Sequence, residues 1–287
     1  MDAPSAAACS WLQACLARMA QEGASDLFLT AGAPPTLKRQ GAFVPLPFDP
    51  LTPQQTREAA YSVMRASQIA EFEARMECDL AYQTSPTERF RVNVHQQRGQ
   101  VGMVVRYVSP QIPSIDDLHL PSVLKQLAFL KNGLILVVGA AGSGKTTTLA
   151  SMLDYRNEHT SGHILTVEDP IEYLHAHKKS LVTQREVGLD TLSYDEALRH
   201  AMREAPNVIM IGEIRDRTSM QHALHYAEAG HLCVSTLHAN NAGQAVQRVL
   251  NFFPEEAHRQ LLMDLSLNLK AVVGQRLVPG AQGGWVP

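Results

Sequence analysis

An apolar run, Leu134 to Val138, stops at Gly139 and opens a G-x-x-x-x-G-K-T pattern completed by Gly144, Lys145 and Thr146. The run is short and β-branched enough for a buried strand, and Thr147 to Leu153 returns to helical spacing, so the glycine loop falls between a strand and a helix. That setting turns a glycine-rich stretch into a phosphate-binding loop. Backbone N–H groups of Ala141 to Lys145 can wrap a phosphate at a helix N-terminus. The Lys145 ammonium can neutralise β/γ oxygens, and the Thr146 hydroxyl can ligate Mg²⁺. The candidate nucleotide contacts are therefore Gly139, Ala140, Ala141, Gly142, Ser143, Gly144, Lys145, Thr146 and Thr147.

Such a loop needs a sheet around it, and the chain has the length for one. Its 287 residues suffice for two domains. Beyond the loop, strands alternate with helices as a parallel sheet requires. His163–Val167, Asn207–Ile211 and His231–Thr236 read as strands; Ser193 caps a helix with Glu196 three residues on, and Thr218–Ala229 is a helix. Glu255–Val273 reads as one helix, with leucines at Leu261, Leu262, Leu265 and Leu269.

The first hundred residues have a different texture. Trp11, Leu12, Cys15, Leu16 and Met19 predict an amphipathic helix ending near Gly23. Asp26–Thr30 and Thr36–Val44 read as extended, the latter broken at Gly41. Thr52, Pro53 and Gln55 predict a capped helix to about Arg65, and a shorter one follows from Gln68. Arg89–His95 alternates polar and apolar residues and Val101–Val108 returns as its hairpin partner. The expected division is a small α+β domain over 1–108, a proline-bearing linker over 109–121 that could act as a hinge, and a nucleotide domain over 122–287.

Composition excludes several alternatives. A charged fraction of 18% and a net charge of -3 speak against disorder and against a strongly basic nucleic-acid surface, so no nucleic-acid partner is expected. No apolar run approaches the roughly 20 residues of a membrane span, and no basic region precedes the apolar residues near Met1, so no export signal is read. Cys9, Cys15, Cys78 and Cys233 form no C-x-x-C pair and read as reduced thiols.

Phosphoryl transfer to water needs Mg²⁺ near the γ-phosphate, a carboxylate for the water and positive charge at the transition state. Two acidic clusters stand just past apolar strand ends: Glu168, Asp169 and Glu172 in VEDPIEY, and Glu213 in VIMIGEIRD. Thr146, Asp169 and Glu213 are the candidate Mg²⁺ ligands. An ordinary Walker B strand ends in Asp, whereas here Gly212 holds that place and the acid follows one residue later, so the metal contact is expected through water. His231 and His238 flank the strand HLCVST. Either alone reads as a structural histidine, while His238, past the strand end, is placed to reach the γ-phosphate region. Arg91 and Arg106 would ordinarily be solvated strand charges; in a ring, a neighbour could place them against this subunit's phosphates.

GASDLFLTAGAPPTLKRQG, RFRVNVHQQRG, GAAGSGKTTTLASMLDY, ILTVEDPIEY, TQREVGLDTLSYDEAL and VIMIGEIRD, with GHLCVSTLHANNAGQAVQRVLNFFPEE, together resemble the type IV pilus retraction ATPases of the secretion ATPase superfamily. LHANNAGQAVQRVLNFFPEE and LLMDLSLNLKAVVGQRLVP are closer to the accessory PilU type than to the PilT type. The resemblance implies an α/β fold, a RecA-like P-loop core with a smaller PAS-like N-terminal domain, assembled as a cytoplasmic homohexamer that binds ATP and Mg²⁺ at subunit interfaces. It implies Glu172 as catalytic glutamate, Glu213 as Walker B acid, His231 and His238 as the His box, and Arg91 and Arg106 as fingers from the adjacent subunit. Its implied partners are a PilT-like retraction ATPase and a pilus platform protein, at the cytoplasmic face of the inner membrane. Assembly and type II secretion relatives usually carry a Cys₄ zinc insertion after the His box, and no cysteine follows Cys233, which points to retraction. A nucleotide-binding accessory subunit with weak hydrolysis of its own is the alternative. Pro206-Asn207 departs from the Pro-Asp expected there, and the resemblance leads us to expect a further C-terminal tail beyond Pro287.

Overall fold

The computed structural model describes residues 6–39, 41–85, 88–108, 111–279 and 285–286. The chain divides into two compact units, Met1–Pro110 and Gln111–Pro287.

In the first unit the helix α1 (Ala6–Gln21) buries Leu12, Cys15, Leu16 and Met19, the stripe its spacing predicts. The strands are β1 (Asp26–Leu29), β2 (Thr36–Arg39), β3 (Ala42–Pro45), β4 (Glu77–Ser85), β5 (Glu88–Gln97) and β6 (Gln100–Val108). They form one antiparallel sheet in the order β3-β2-β1-β6-β5-β4. Phe90, Val92 and Val94 face its core at alternate positions of β5, which leaves Arg91 on the other face. There Arg91 stands opposite Arg106 of β6, and the Arg106 Nε lies 2.8 Å from Asp26 Oδ1 on β1. Thr52 caps α2 (Pro53–Val63) in a reciprocal capping box with Gln55. The next helix, α3 (Ala66–Arg75), starts two residues before the expected Gln68. Gln68 is a capping residue of the first turn, its side-chain oxygen accepting from the Arg65 N–H at 2.9 Å.

The second unit begins with α4 (Val123–Ala128) and is built on β7 (Gly133–Val138), buried over its whole length. The helix α5 (Lys145–His159) follows it, then β8 (Gly162–Glu168), β9 (Ser180–Glu186), α6 (Tyr194–Ala201), β10 (Val208–Glu213), α7 (Arg217–Glu228), β11 (Leu232–Leu237), α8 (Ala242–Asn251), α9 (His258–Asn268) and β12 (Leu269–Gly274). These strands make a parallel sheet in the order β12-β7-β11-β10-β8-β9. Leu134, Ile135, Leu136, Val137 and Val138 are at most 1% exposed, and full burial of such side chains stabilises by about 1.5–3 kcal/mol each. This anchors the strand that carries the phosphate loop. Residues 111–121 lie with this unit: Ile115 is buried in its core and the Pro113 carbonyl accepts the Ser151 hydroxyl.

The expected helix over Glu255–Val273 is corrected by the structure. A short 3-10 turn at Glu255–Ala257 leads into α9, and the chain then extends as β12 alongside β7. Leu261 and Leu265 are buried as the leucine pattern requires. Leu269 and the β-branched pair Val272-Val273 instead satisfy the open ladder of β7, a long-range gain that outweighs helical continuation. Val278–Pro279 and Trp285–Val286 pair as the short antiparallel strands β13 and β14.

Candidate active site

The loop between β7 and α5 takes the shape that its glycines permit. Gly142 and Gly144 have φ of 74° and 85°, a left-handed conformation that side chains rarely adopt. The Ala140 carbonyl accepts the Ser143 N–H at 3.2 Å and Lys145 Nζ at 2.8 Å, so the lysine is folded back over its own loop. Lys145 is 8% exposed. Desolvation lowers its pKa, and the opposing charge of Glu213 partly restores it. An ammonium held so dry is poised to exchange the carbonyl for an anion.

A cleft of about 230 Å³ opens beside the loop, lined by Ala141, Gly142, Lys145 and Thr146 from one side and by Asp169, Glu172, Glu213 and His238 from the other. Those candidates thus meet in one place. Gly139 and Ala140 line an adjoining cavity with His238, and Ser143 lines a third around the loop. Thr147 donates to or accepts from the Tyr173 hydroxyl at 3.0 Å, joining α5 to the acidic loop after β8. His231 is not brought to the cleft. It precedes β11 while His238 follows it, so the six strand residues between them separate the two by roughly 20 Å at about 3.3 Å per residue. Arg91 and Arg106 belong to the first unit, on β5 and β6.

The odd Walker B pattern has a steric cause. A Cβ at position 212 would come within 3.0 Å of the Tyr194 hydroxyl and 3.3 Å of the backbone of β8, so only glycine passes without displacement. The β10–β11 register shifts between Ile211 and Glu213, which places Glu213 opposite Thr236. Its carboxylate lies 2.9 Å from His238 Nε2 through Oε1 and accepts Arg215 Nε at 2.7 Å through Oε2. Arg215 also reaches Asp169 Oδ2 at 3.3 Å. Sequence reasoning missed this arginine; its position two residues after the acid in GEIRD was the available signal. Hydrogen bonding to Glu213, with the nearby acids, raises its pKa.

Beneath the cleft lies Glu168, 4% exposed. Its Oε1 accepts the Thr166 hydroxyl at 2.7 Å and Gln184 Nε2 at 3.1 Å, and its carboxylate takes the Glu172 backbone N–H. Burial pushes its pKa up to about 7, against these donors. The buried Glu186 carboxylate accepts the Ile171 N–H at 3.2 Å, so two carboxyl groups brace the loop that presents Glu172 to solvent.

A carboxyl whose folded pKa lies above its unfolded value binds its proton more tightly when folded. Its stabilising contribution is complete at low pH and falls as pH rises from about 4.5 through about 7. Glu168→Gln removes that dependence. The melting temperature of the variant relative to wild type should climb between about pH 5 and about pH 8; an unchanging difference across that range would contradict the buried-acid reading.

A phosphate loop on the first strand of a parallel sheet, facing acids from the ends of β8 and β10, defines a P-loop nucleoside triphosphatase. A profile described as Type II/IV secretion system protein matches residues 80–282. The Type IV pilus ATPase PilU of Pseudomonas aeruginosa is 52% identical over 265 residues, 92% of this chain and 69% of that protein. The Type IV pilus retractation ATPase PilT of the same organism is 42% identical over 271 residues, 94% of this chain and 79% of that protein. The crystal structure of the pilus retraction motor PilT with bound ADP superposes with a TM-score of 0.90 at 44% identity, covering 96% of this chain and 80% of that one. The chain belongs to the type II/IV secretion system protein family, and is an ATPase of it.

Proposed function

We propose that the chain is the ATP-hydrolysing subunit of a cytoplasmic homohexameric motor that withdraws type IV pili. It would work at the cytoplasmic face of the inner membrane, beside a PilT-like ATPase and against a pilus platform protein. The observation that carries this reading is the meeting of Lys145, Thr146, Glu172, Glu213 and His238 in one cleft. The pilus connection comes from the relatives named PilU and PilT. No helix among the described residues is long and apolar enough to cross a membrane.

ATP binds with its phosphates against the loop N–H groups and the N-terminus of α5, and Lys145 Nζ leaves the Ala140 carbonyl for the β/γ oxygens. Thr146, Asp169 and Glu213, all on the cleft, offer the hard oxygens that Mg²⁺ prefers and would hold it. When bound, it would supply charge neutralisation at the γ-phosphate. Glu172, exposed at the cleft edge, takes the proton of the attacking water. His238, held against Glu213, stands where it can donate to a γ-phosphate oxygen as charge develops. Arg91 and Arg106 of the next subunit supply the remaining positive charge, and closure of successive interfaces drives the platform. His231, at the far end of β11, would act away from this cleft.

The reading is tested in cells lacking the chain and given back wild type or Glu172→Gln. With the variant, pili should assemble and accumulate without withdrawal. Normal surface movement with Glu172→Gln would refute it.

A further inference from the structure

The glycines that bound the phosphate loop face one residue from the opposite end of the domain. Gln275 directly follows β12, and its N–H donates to the Val138 carbonyl at 2.8 Å, carrying the β12–β7 ladder one step into the loop. A Cβ built on Gly139 would stand 2.5 Å from the Gln275 carbonyl oxygen, and one built on Gly144 would stand 2.8 Å from Gln275 Nε2. The side-chain Oε1 accepts the hydroxyl of Thr148 at 2.7 Å. Thr148 is 1% exposed in the first turn of α5. Gln275 therefore lies across the loop from its first glycine to its last and is tied to the helix behind it.

We propose that Gln275 is a positioning residue for the nucleotide site, a strap that with Thr148 holds the phosphate loop in its anion-receiving shape. This rests on reading that loop as the nucleotide site. The strap preorganises the loop. A loop with two left-handed glycines has many conformations when free, and each must be given up when phosphate binds. With the strap in place that cost falls on folding and not on binding. Removing the Gln275 amide leaves the buried Thr148 hydroxyl without its acceptor and frees the Gly144 end of the loop. The strap also gives a route from nucleotide occupancy to β12, since a shift of the loop pulls on a strand at the sheet edge.

The test uses ADP as the probe on the purified chain, with binding by calorimetry and ATP kinetics beside it. Gln275→Leu keeps the side chain's bulk, Thr148→Val keeps the helix packing, and Thr148→Ser keeps the hydroxyl. Gln275→Leu and Thr148→Val should each weaken ADP binding about tenfold, the size expected for one hydrogen bond with a buried orphan left behind. The double variant should be no weaker than either single one, because the pair acts as a unit. KM for ATP should rise by the same factor while kcat falls by less than about threefold, and Thr148→Ser should bind like wild type. Unchanged ADP affinity in Gln275→Leu and Thr148→Val, with binding lost in Lys145→Ala, overturns the strap and leaves the nucleotide site standing. Losses that multiply to about a hundredfold in the double variant overturn it too. Unchanged ADP affinity in Lys145→Ala overturns the reading of the loop itself. If Gln275→Leu yields no folded protein, the contrast between Thr148→Val and Thr148→Ser decides.

Discussion

Lys145→Ala should reduce ATP turnover by about 10²–10³-fold or more, the cost of removing a charged group aimed at developing negative charge in a dry site. The magnitude follows from the lysine's surroundings. Its ammonium is nearly buried and rests on a single backbone carbonyl. No other lysine or arginine from the loop or from α5 up to Asp154 could take its place. The substitution should leave the fold intact, because alanine is the best helix former and position 145 is the first residue of α5. Circular dichroism and melting should therefore match wild type while nucleotide binding and phosphate release are lost. Retained turnover in Lys145→Ala would mean that the phosphates lie elsewhere.

Glu172→Gln separates binding from chemistry. The side chain is exposed at the cleft edge and the loop is held by Glu168 through the Glu172 backbone, so the amide should fit without rearrangement. It cannot accept the water's proton. kcat should fall by about 10²–10⁴-fold, the usual contribution of a positioned general base, while ATP affinity stays within a few fold. Rapid-quench turnover beside equilibrium ATP binding checks both. Unimpaired turnover would transfer the base role to Asp169 or Glu213, and equal losses of binding and turnover would make Glu172 a ligand of the bound nucleotide.

The site was legible in proportion to how local it is. The loop from Gly139 to Thr147 is contiguous, and its glycines, lysine and threonine can be read from spacing alone. Glu172, Glu213 and His238 were visible as polar residues just beyond apolar strands, where a parallel sheet delivers its ligands. Gln275 was not legible as a site residue, because its contact with Thr148 crosses 127 residues of sequence; Arg215 stands two residues past Glu213, but its second acid, Asp169, lies 46 residues away. Gly212 departs from an ordinary Walker B strand, and its closeness to Tyr194 and β8 gives that departure a steric reason. The fold shows the same division. Capped helices and the alternating hairpin β5–β6 follow from local pattern, whereas β12 reads as helix until the open edge of β7 is known. The elements α4, β9 and α8 lie outside the sequence reading, although Asn241, Ala245 and Val249 give α8 a cap and a buried stripe.

We propose that hydrolysis takes place at sites shared between subunits of a ring, with Glu172 from one and Arg91 and Arg106 from the next. The most direct test mixes Glu172→Gln protomers with protomers carrying both Arg91→Ala and Arg106→Ala, each inactive alone, and records turnover with oligomeric mass. Random assembly at equal amounts gives about a quarter of interfaces an intact acid facing intact arginines, since a head-to-tail ring presents each site to one neighbour. Turnover near a quarter of wild type in a hexamer is the predicted result. A mixture no more active than its parts would contradict shared sites, and a monomer hydrolysing ATP at full rate would contradict the ring.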